Sequence, residues 1–119
     1  MLALDRIYHA AYVLKGVARK TDLIAAPHLV PGIGDLYLKT ENLQVTGSFK
    51  LRGASYKISQ LPKGDLERGI IACSAGNHAQ GVALAATHMG VRSIVCMPDG
   101  APIMKVESTR RLGAEVRLV

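Results

Sequence analysis

The sequence predicts an α/β fold built on a parallel, doubly wound sheet, and three observations carry that expectation. From residue 69 onward, apolar runs of strand length alternate with amphipathic stretches of helix length, the order that βαβ units impose. The junctions between them carry turn and cap residues: Gly90, Pro98-Asp99-Gly100, Pro102 and Gly113. The apolar side chains are also small. Four Tyr, one Phe and no Trp in 119 residues, 49% of them hydrophobic, leave a core of Ala, Val, Ile and Leu that suits helices packed closely on a buried parallel sheet. A chain of this length can bury roughly two thirds of its unfolded surface, enough for one domain or part of one.

Taken in order, apolar positions at Ile7, Ala10, Ala11, Leu14, Val17 and Ala18 predict a packing helix over 5–18, opened by Asp5 at the positive end of its dipole. Pro27, Pro31, Gly32 and Gly34 predict a loop over 21–34 that leads into a strand over 36–39. Gly32-Ile33-Gly34 lacks the third glycine of a dinucleotide fingerprint and reads as a turn. A helix is expected over 48–61, closed by Pro62 and Gly64. A strand over 69–73, a turn over 74–77, a helix over 78–89 and a strand over 93–97 make the clearest βαβ run. Gly90 stands where a helix end wants positive φ, and Pro102 opens a further helix that Gly113 closes. The run from Ala114 to Val119 reads as one more strand, so the chain looks like the front part of such a sheet.

The net charge of +6 is scattered, with no basic run longer than the pairs Arg19-Lys20 and Arg110-Arg111 and no interleaved aromatics, which argues against a nucleic-acid partner. Cys73 and Cys96, 23 positions apart with no CxxC, read as buried free thiols in a reducing compartment. With Asp5 and Arg6 near the start and no apolar run near the ~20 residues of a membrane span, neither a signal peptide nor a membrane partner is expected, and the location reads as cytoplasmic. His9, His28 and His88 form no ligand pattern, and no metal site is expected.

Two stretches carry chemistry. In Thr46-Gly47-Ser48-Phe49-Lys50, Gly47 permits a turn, Ser48 is a good N-cap, and Lys50 falls in the first turn of a helix, where the dipole opposes a positive charge. A lysine so placed suits attack on a carbonyl; the plainer alternative is a solvated surface lysine. In Ser74-Ala75-Gly76-Asn77-His78-Ala79-Gln80-Gly81, a polar loop follows a strand and opens a helix, the position at which open α/β sheets bind anions. Gly76 allows close backbone approach, Ser74 and Asn77 offer side-chain donors, and Gly81 keeps the first helical turn uncrowded. The alternative is an ordinary connection with Asn77 as N-cap.

These stretches, with Glu41-Asn42-Leu43-Gln44 before the first and Met97-Pro98, Ala101-Pro102, Lys105-Val106 and Gly113-Ala114-Glu115-Val116 after the second, resemble the threonine dehydratases (threonine ammonia-lyases). These are pyridoxal-phosphate enzymes of the tryptophan-synthase-β-like fold type II, with serine dehydratase and serine racemase as close relatives. The resemblance runs from about residue 36 to the end. It implies that Lys50 holds the cofactor through an imine, that Phe49 packs against its ring, and that Asn77 hydrogen-bonds its ring hydroxyl. The backbone amides of Ser74, Ala75, Gly76, Asn77 and His78 would grip the substrate carboxylate. His78 reads as a hydrogen-bond donor or packing residue rather than a general acid.

The implied reaction is β-elimination on a small hydroxy amino acid. Threonine would yield 2-oxobutanoate and ammonia, with serine as the alternative substrate and the choice between biosynthetic and catabolic roles left open. The resemblance also implies a homo-oligomeric parent. Residues of about 1–60 would contribute to its larger lobe and about 65–119 to its smaller one, with the glycine-rich phosphate loop and the residue facing the pyridine nitrogen beyond Val119. The alternative to a piece of a catalytic parent is a non-catalytic chain that binds a partner, such as a parent-type subunit, through its open sheet edge.

Overall fold

The alanine-rich run from Asn77 to His88 forms the central helix of the chain, because its small side chains favour the helix and let neighbours approach from two sides. The computed structural model describes residues 3–32 and 34–119. Along them run α1 (Leu4–Val13), β1 (Leu23–Ala25), β2 (Tyr37–Lys39), a 3-10 turn (Glu41–Leu43), α2 (Lys50–Ser59), α3 (Lys63–Arg68), β3 (Ile70–Cys73), α4 (Asn77–His88), β4 (Ser93–Met97), α5 (Ile103–Arg111) and β5 (Glu115–Leu118).

β3, β4 and β5 pair in parallel in that order, with Ile71 opposite Ile94 and Ile94 opposite Glu115. Strand alternation sends Val95 and Met97 to one face, where they pack with Ala79 and Ala83 of α4, Val106 of α5 and Ala114. The opposite side of α4 carries Val82, Ala85 and Ala86 against Leu51, Ala54 and Ile58 of α2. α4 therefore lies between the sheet and α2, and whatever α2 begins with is placed by α4.

The βαβ expectations hold closely. The strand over 93–97 is β4, Gly90 and Gly113 take φ of +67° and +97°, and the Ala101 N–H donates to the Pro98 carbonyl at 2.8 Å to close the expected turn. Pro102 caps α5 rather than occupying its first position.

Elsewhere the structure corrects the sequence reading. The helix over 5–18 stops at Val13, and the chain then turns through Gly16 at a φ of +83°. Leu14 and Val17 reach the core, while α1 buries none of its own residues and leaves Ile7 48% exposed, so it is not a packing helix. Among the described residues, α1 meets α2 through a hydrogen bond between His9 Nδ1 and the Tyr56 hydroxyl at 3.1 Å. The loop over 21–34 contains β1, which pairs antiparallel with β2, Leu23 opposite Lys39. That pairing is set across a long connection and leaves no local mark. Ile33, the centre of the expected turn, lies outside the described residues.

The helix over 48–61 ends at Ser59, ahead of Pro62 as expected, but a further helix follows at once. Pro62 caps α3, whose Asp65 and Arg68 complement its dipole, because proline suits a helix start as well as a stop. Gly69 closes α3 at a φ of +87°, and a Cβ there would stand 3.0 Å from the Arg92 carbonyl oxygen. Cys73 and Cys96 are free, but they are exposed and partly exposed rather than buried. Alternation puts them on the sheet face away from Val95 and Met97, alongside Ile71, which is 71% exposed.

Candidate active site

Lys50 is delivered by a turn whose shape is set locally. The Gly47 N–H donates to the Gln44 carbonyl at 2.8 Å, and Gly47 takes a φ of +70°, which glycine adopts without steric cost. Ser48 Oγ accepts the Lys50 N–H at 3.4 Å, although the helix itself begins at Lys50, two residues into the expected range, with Phe49 rather than Ser48 in the cap position. Lys50 is exposed, and its Nζ stands 4.7 Å from the centroid of the Phe49 ring, itself 57% exposed.

Long-range polar contacts hold both ends of that turn. Arg52 forks onto Glu41, Nε to Oε2 and Nη2 to Oε1, each at 2.9 Å, and Nη2 also donates to the Arg19 carbonyl at 2.9 Å. The Thr21 hydroxyl donates to the same carboxylate, and Lys39 Nζ donates to the Thr21 carbonyl. Gln44, buried, accepts the Arg19 and Val45 N–H groups at 2.8 and 3.0 Å and donates to the Arg19 carbonyl at 3.0 Å. The Arg52 guanidinium, with Thr21 and Gln44 adding donors, holds the Glu41 carboxyl down from an ordinary 4.5 to about 2, against a smaller opposing effect of burial. Arg52 is correspondingly pushed up by Glu41.

The second stretch prolongs β3. The Ser74 N–H donates to the Cys96 carbonyl at 3.1 Å, and Ser74 Oγ accepts the Gly76 N–H at 3.3 Å. Gly76 is the cap of α4 and no side chain caps the helix, so the first amides of α4 stay open to an anion. Asn77 is the first helical residue rather than the cap, and its Oδ1 accepts Lys105 Nζ from α5 at 3.2 Å. Ser74, Ala75 and Gly76 are partly buried, and Asn77 and His78 exposed. His78 lines a groove of about 270 Å³ with Gly53 and Lys57 of α2 and Ile71 of β3.

The two stretches meet at Gly81. A Cβ there would stand 3.0 Å from the Lys50 carbonyl carbon and oxygen and 3.1 Å from the Leu51 nitrogen. The glycine therefore lets the start of α2 lie directly on α4, one turn beyond Asn77; it relieves crowding between helices rather than within one. The result is that the helix start bearing a primary amine packs on the first turns of a helix whose opening amides are uncapped and whose first residue carries a side-chain amide. That donor set fits an aldehyde cofactor together with a carboxylate-bearing substrate.

The sequence reading missed Arg52, Glu41, Gln44 and Lys105 as supports. Their contacts span 1 to 33 positions and most follow no helical or strand period, so the only signal was several polar residues close to the lysine. Among the described residues, no group of three or more His, Cys, Asp or Glu is placed to hold a metal ion, and no helix is long and apolar enough to cross a membrane.

The fold is an α/β region in which a lysine-bearing helix start packs on the helix that follows a parallel strand. The chain belongs to the pyridoxal-phosphate dependent enzyme family, whose model matches residues 14–119. It is 50% identical to an L-threonine ammonia-lyase of Thermotoga maritima, over 99% of this chain and 30% of that protein. Its structure superposes on the processed form of threonine deaminase isoform 2 from Solanum lycopersicum with a TM-score of 0.82 at 35% identity, over 99% of this chain and 34% of that one. It superposes on maize serine racemase with a TM-score of 0.88 at 32% identity, over 97% and 35%. The chain thus spans about a third of the length of the relatives it matches.

Proposed function

We propose that this chain carries the lysine and the carboxylate-binding loop of an ammonia-lyase that converts L-threonine to 2-oxobutanoate and ammonia. The observation that carries the reading is the close approach of Gly81 to the Lys50 backbone, which supports it by laying the lysine's helix start on the helix that the Ser74–His78 loop opens. Pyridoxal phosphate, when bound, supplies an aldehyde for the lysine and a ring that takes up the charge left when the substrate's α-proton departs.

In this reading Lys50 Nζ would hold the cofactor through its aldehyde and would serve as the base for the substrate's α-proton. The amides of the Ser74–His78 segment hold the carboxylate, Asn77 offers its side-chain amide to the ring hydroxyl, and Phe49 flanks the ring. Loss of the β-hydroxyl and addition of water then release the 2-keto acid and ammonia. Support comes from the open start of α4, the solvent-facing amine and the threonine ammonia-lyase likeness. A second reading, serine as substrate with dehydration or racemisation, draws on the serine racemase likeness.

The test adds pyridoxal phosphate to the purified full-length protein, reduces with borohydride and maps the modified peptide. Modification at Lys50, lost in Lys50→Ala, supports the assignment; a pyridoxyl group on another lysine overturns it. Product analysis separates the substrates, since threonine yields 2-oxobutanoate whereas serine yields pyruvate or D-serine.

A further inference from the structure

We infer that Cys73 and Cys96 form a dithiol site that closes reversibly to a disulfide at the root of the carboxylate loop. The two are direct partners in the parallel register of β3 and β4, so their side chains leave the sheet on the same face. Adjacent strands lie about 4.8 Å apart, inside the roughly 4.4–6.8 Å between Cα atoms that a disulfide requires. Both thiols are free, Cys73 exposed and Cys96 partly exposed, and the face they share is the one α4 and α5 leave uncovered. Their backbones are already joined, because the Ser74 N–H donates to the Cys96 carbonyl. Closing the bridge asks for side-chain rotation and a small local approach of the strands, because parallel neighbours hold their Cβ atoms about 4.8 Å apart and a disulfide takes roughly 3.5–4.5 Å.

The oxidant belongs to the class of low-molecular-weight disulfides. The Cys73 thiolate, the more accessible, attacks one sulfur of that disulfide, forming a mixed disulfide and releasing one small thiol. The Cys96 thiolate then attacks Cys73 Sγ, forming the Cys73–Cys96 bond and releasing the second small thiol. Two protein thiols are oxidised, one small disulfide is reduced, and the two protons leave on the small thiols. Cys73 immediately precedes Ser74, so the bridge ties the base of the loop to the neighbouring strand. This inference rests on strand register and exposure alone and does not depend on the role proposed for Lys50.

The experiment incubates the reduced full-length protein with oxidised glutathione, then applies intact-mass analysis, thiol titration and non-reducing peptide mapping. The expected result is a cross-linked peptide pair containing Cys73 and Cys96, loss of both thiols without added glutathione mass, and recovery on reduction. Cys96→Ala should instead stop at a stable glutathione adduct on Cys73. Two glutathione adducts per wild-type chain, a disulfide-linked dimer through either residue, or thiols that stay unreacted would each overturn the inference.

Discussion

The turn that carries Lys50 and the loop that follows β3 are held by different physics. Residues 19–52 are tied by charge-assisted and side-chain hydrogen bonds centred on Glu41, Gln44 and Arg52, while residues 70–118 are tied by strand ladders and an apolar core of Val95, Met97, Ala79, Ala83 and Val106. A polar clamp specifies direction and answers to protonation; an apolar core answers to volume. Lys50 thus sits beside the partly buried carboxylate clamp, while the Ser74–His78 loop sits on the apolar core, whose own shifted carboxylate, Glu115, pairs with Arg92 and Arg117 at the exposed strand edge.

That contrast can be broken by substitution. The largest effect is expected in the apolar half: Met97→Ala empties a fully buried position and should cost about 2–5 kcal/mol in urea unfolding. Next comes the seam between the halves. Gly81→Ala pushes a methyl group against the Lys50 and Leu51 backbone and should cost about 1–3 kcal/mol, while slowing borohydride-trapped labelling of Lys50 relative to other lysines. Unchanged stability and labelling would deny the close approach.

In the polar half, Arg52→Ala leaves the Glu41 carboxylate and the Arg19 carbonyl without their partner. It should cost about 1.5–3 kcal/mol, at the lower end because solvent reaches the guanidinium. Arg52→Lys should recover only part of this, since an ammonium cannot fork onto both carboxylate oxygens. The smallest expected effect is Lys63→Ala, which removes an exposed pair with Glu67 and should shift the unfolding free energy by less than about 0.5 kcal/mol.

The pH dependence sharpens the same comparison. Glu41 binds its proton less tightly in the folded chain, about 2 against 4.5, so the unfolded chain takes up more protons between those values. Its contribution is therefore complete above about pH 4.5 and is lost as pH falls through 2. Stability measured across that range should decline in the wild type and decline less in Glu41→Gln; equal slopes would remove Glu41 from the clamp.

Much of residues 70–118 was legible in the sequence, because period-2 and helical patterning, Gly90, Gly113 and the Pro98 turn act within a few residues of themselves. Lys50 and the Ser74–His78 loop were legible as motifs for the same reason. β1 and α3 were not: β1 exists only because β2 returns to pair with it, and Pro62 is locally compatible with either a stop or a start.

By itself, the sequence determined the strands, helices and turns of residues 70–118 and which residues bear an amine or a thiol. Tertiary structure alone decided that Gly81 brings Lys50 against α4, that Arg52 reaches back to Glu41, and that Cys73 faces Cys96 on an open sheet surface. Local preference arises from neighbouring residues and is written in their order. Contacts across many positions are chosen only when packing and desolvation of the whole chain are settled together.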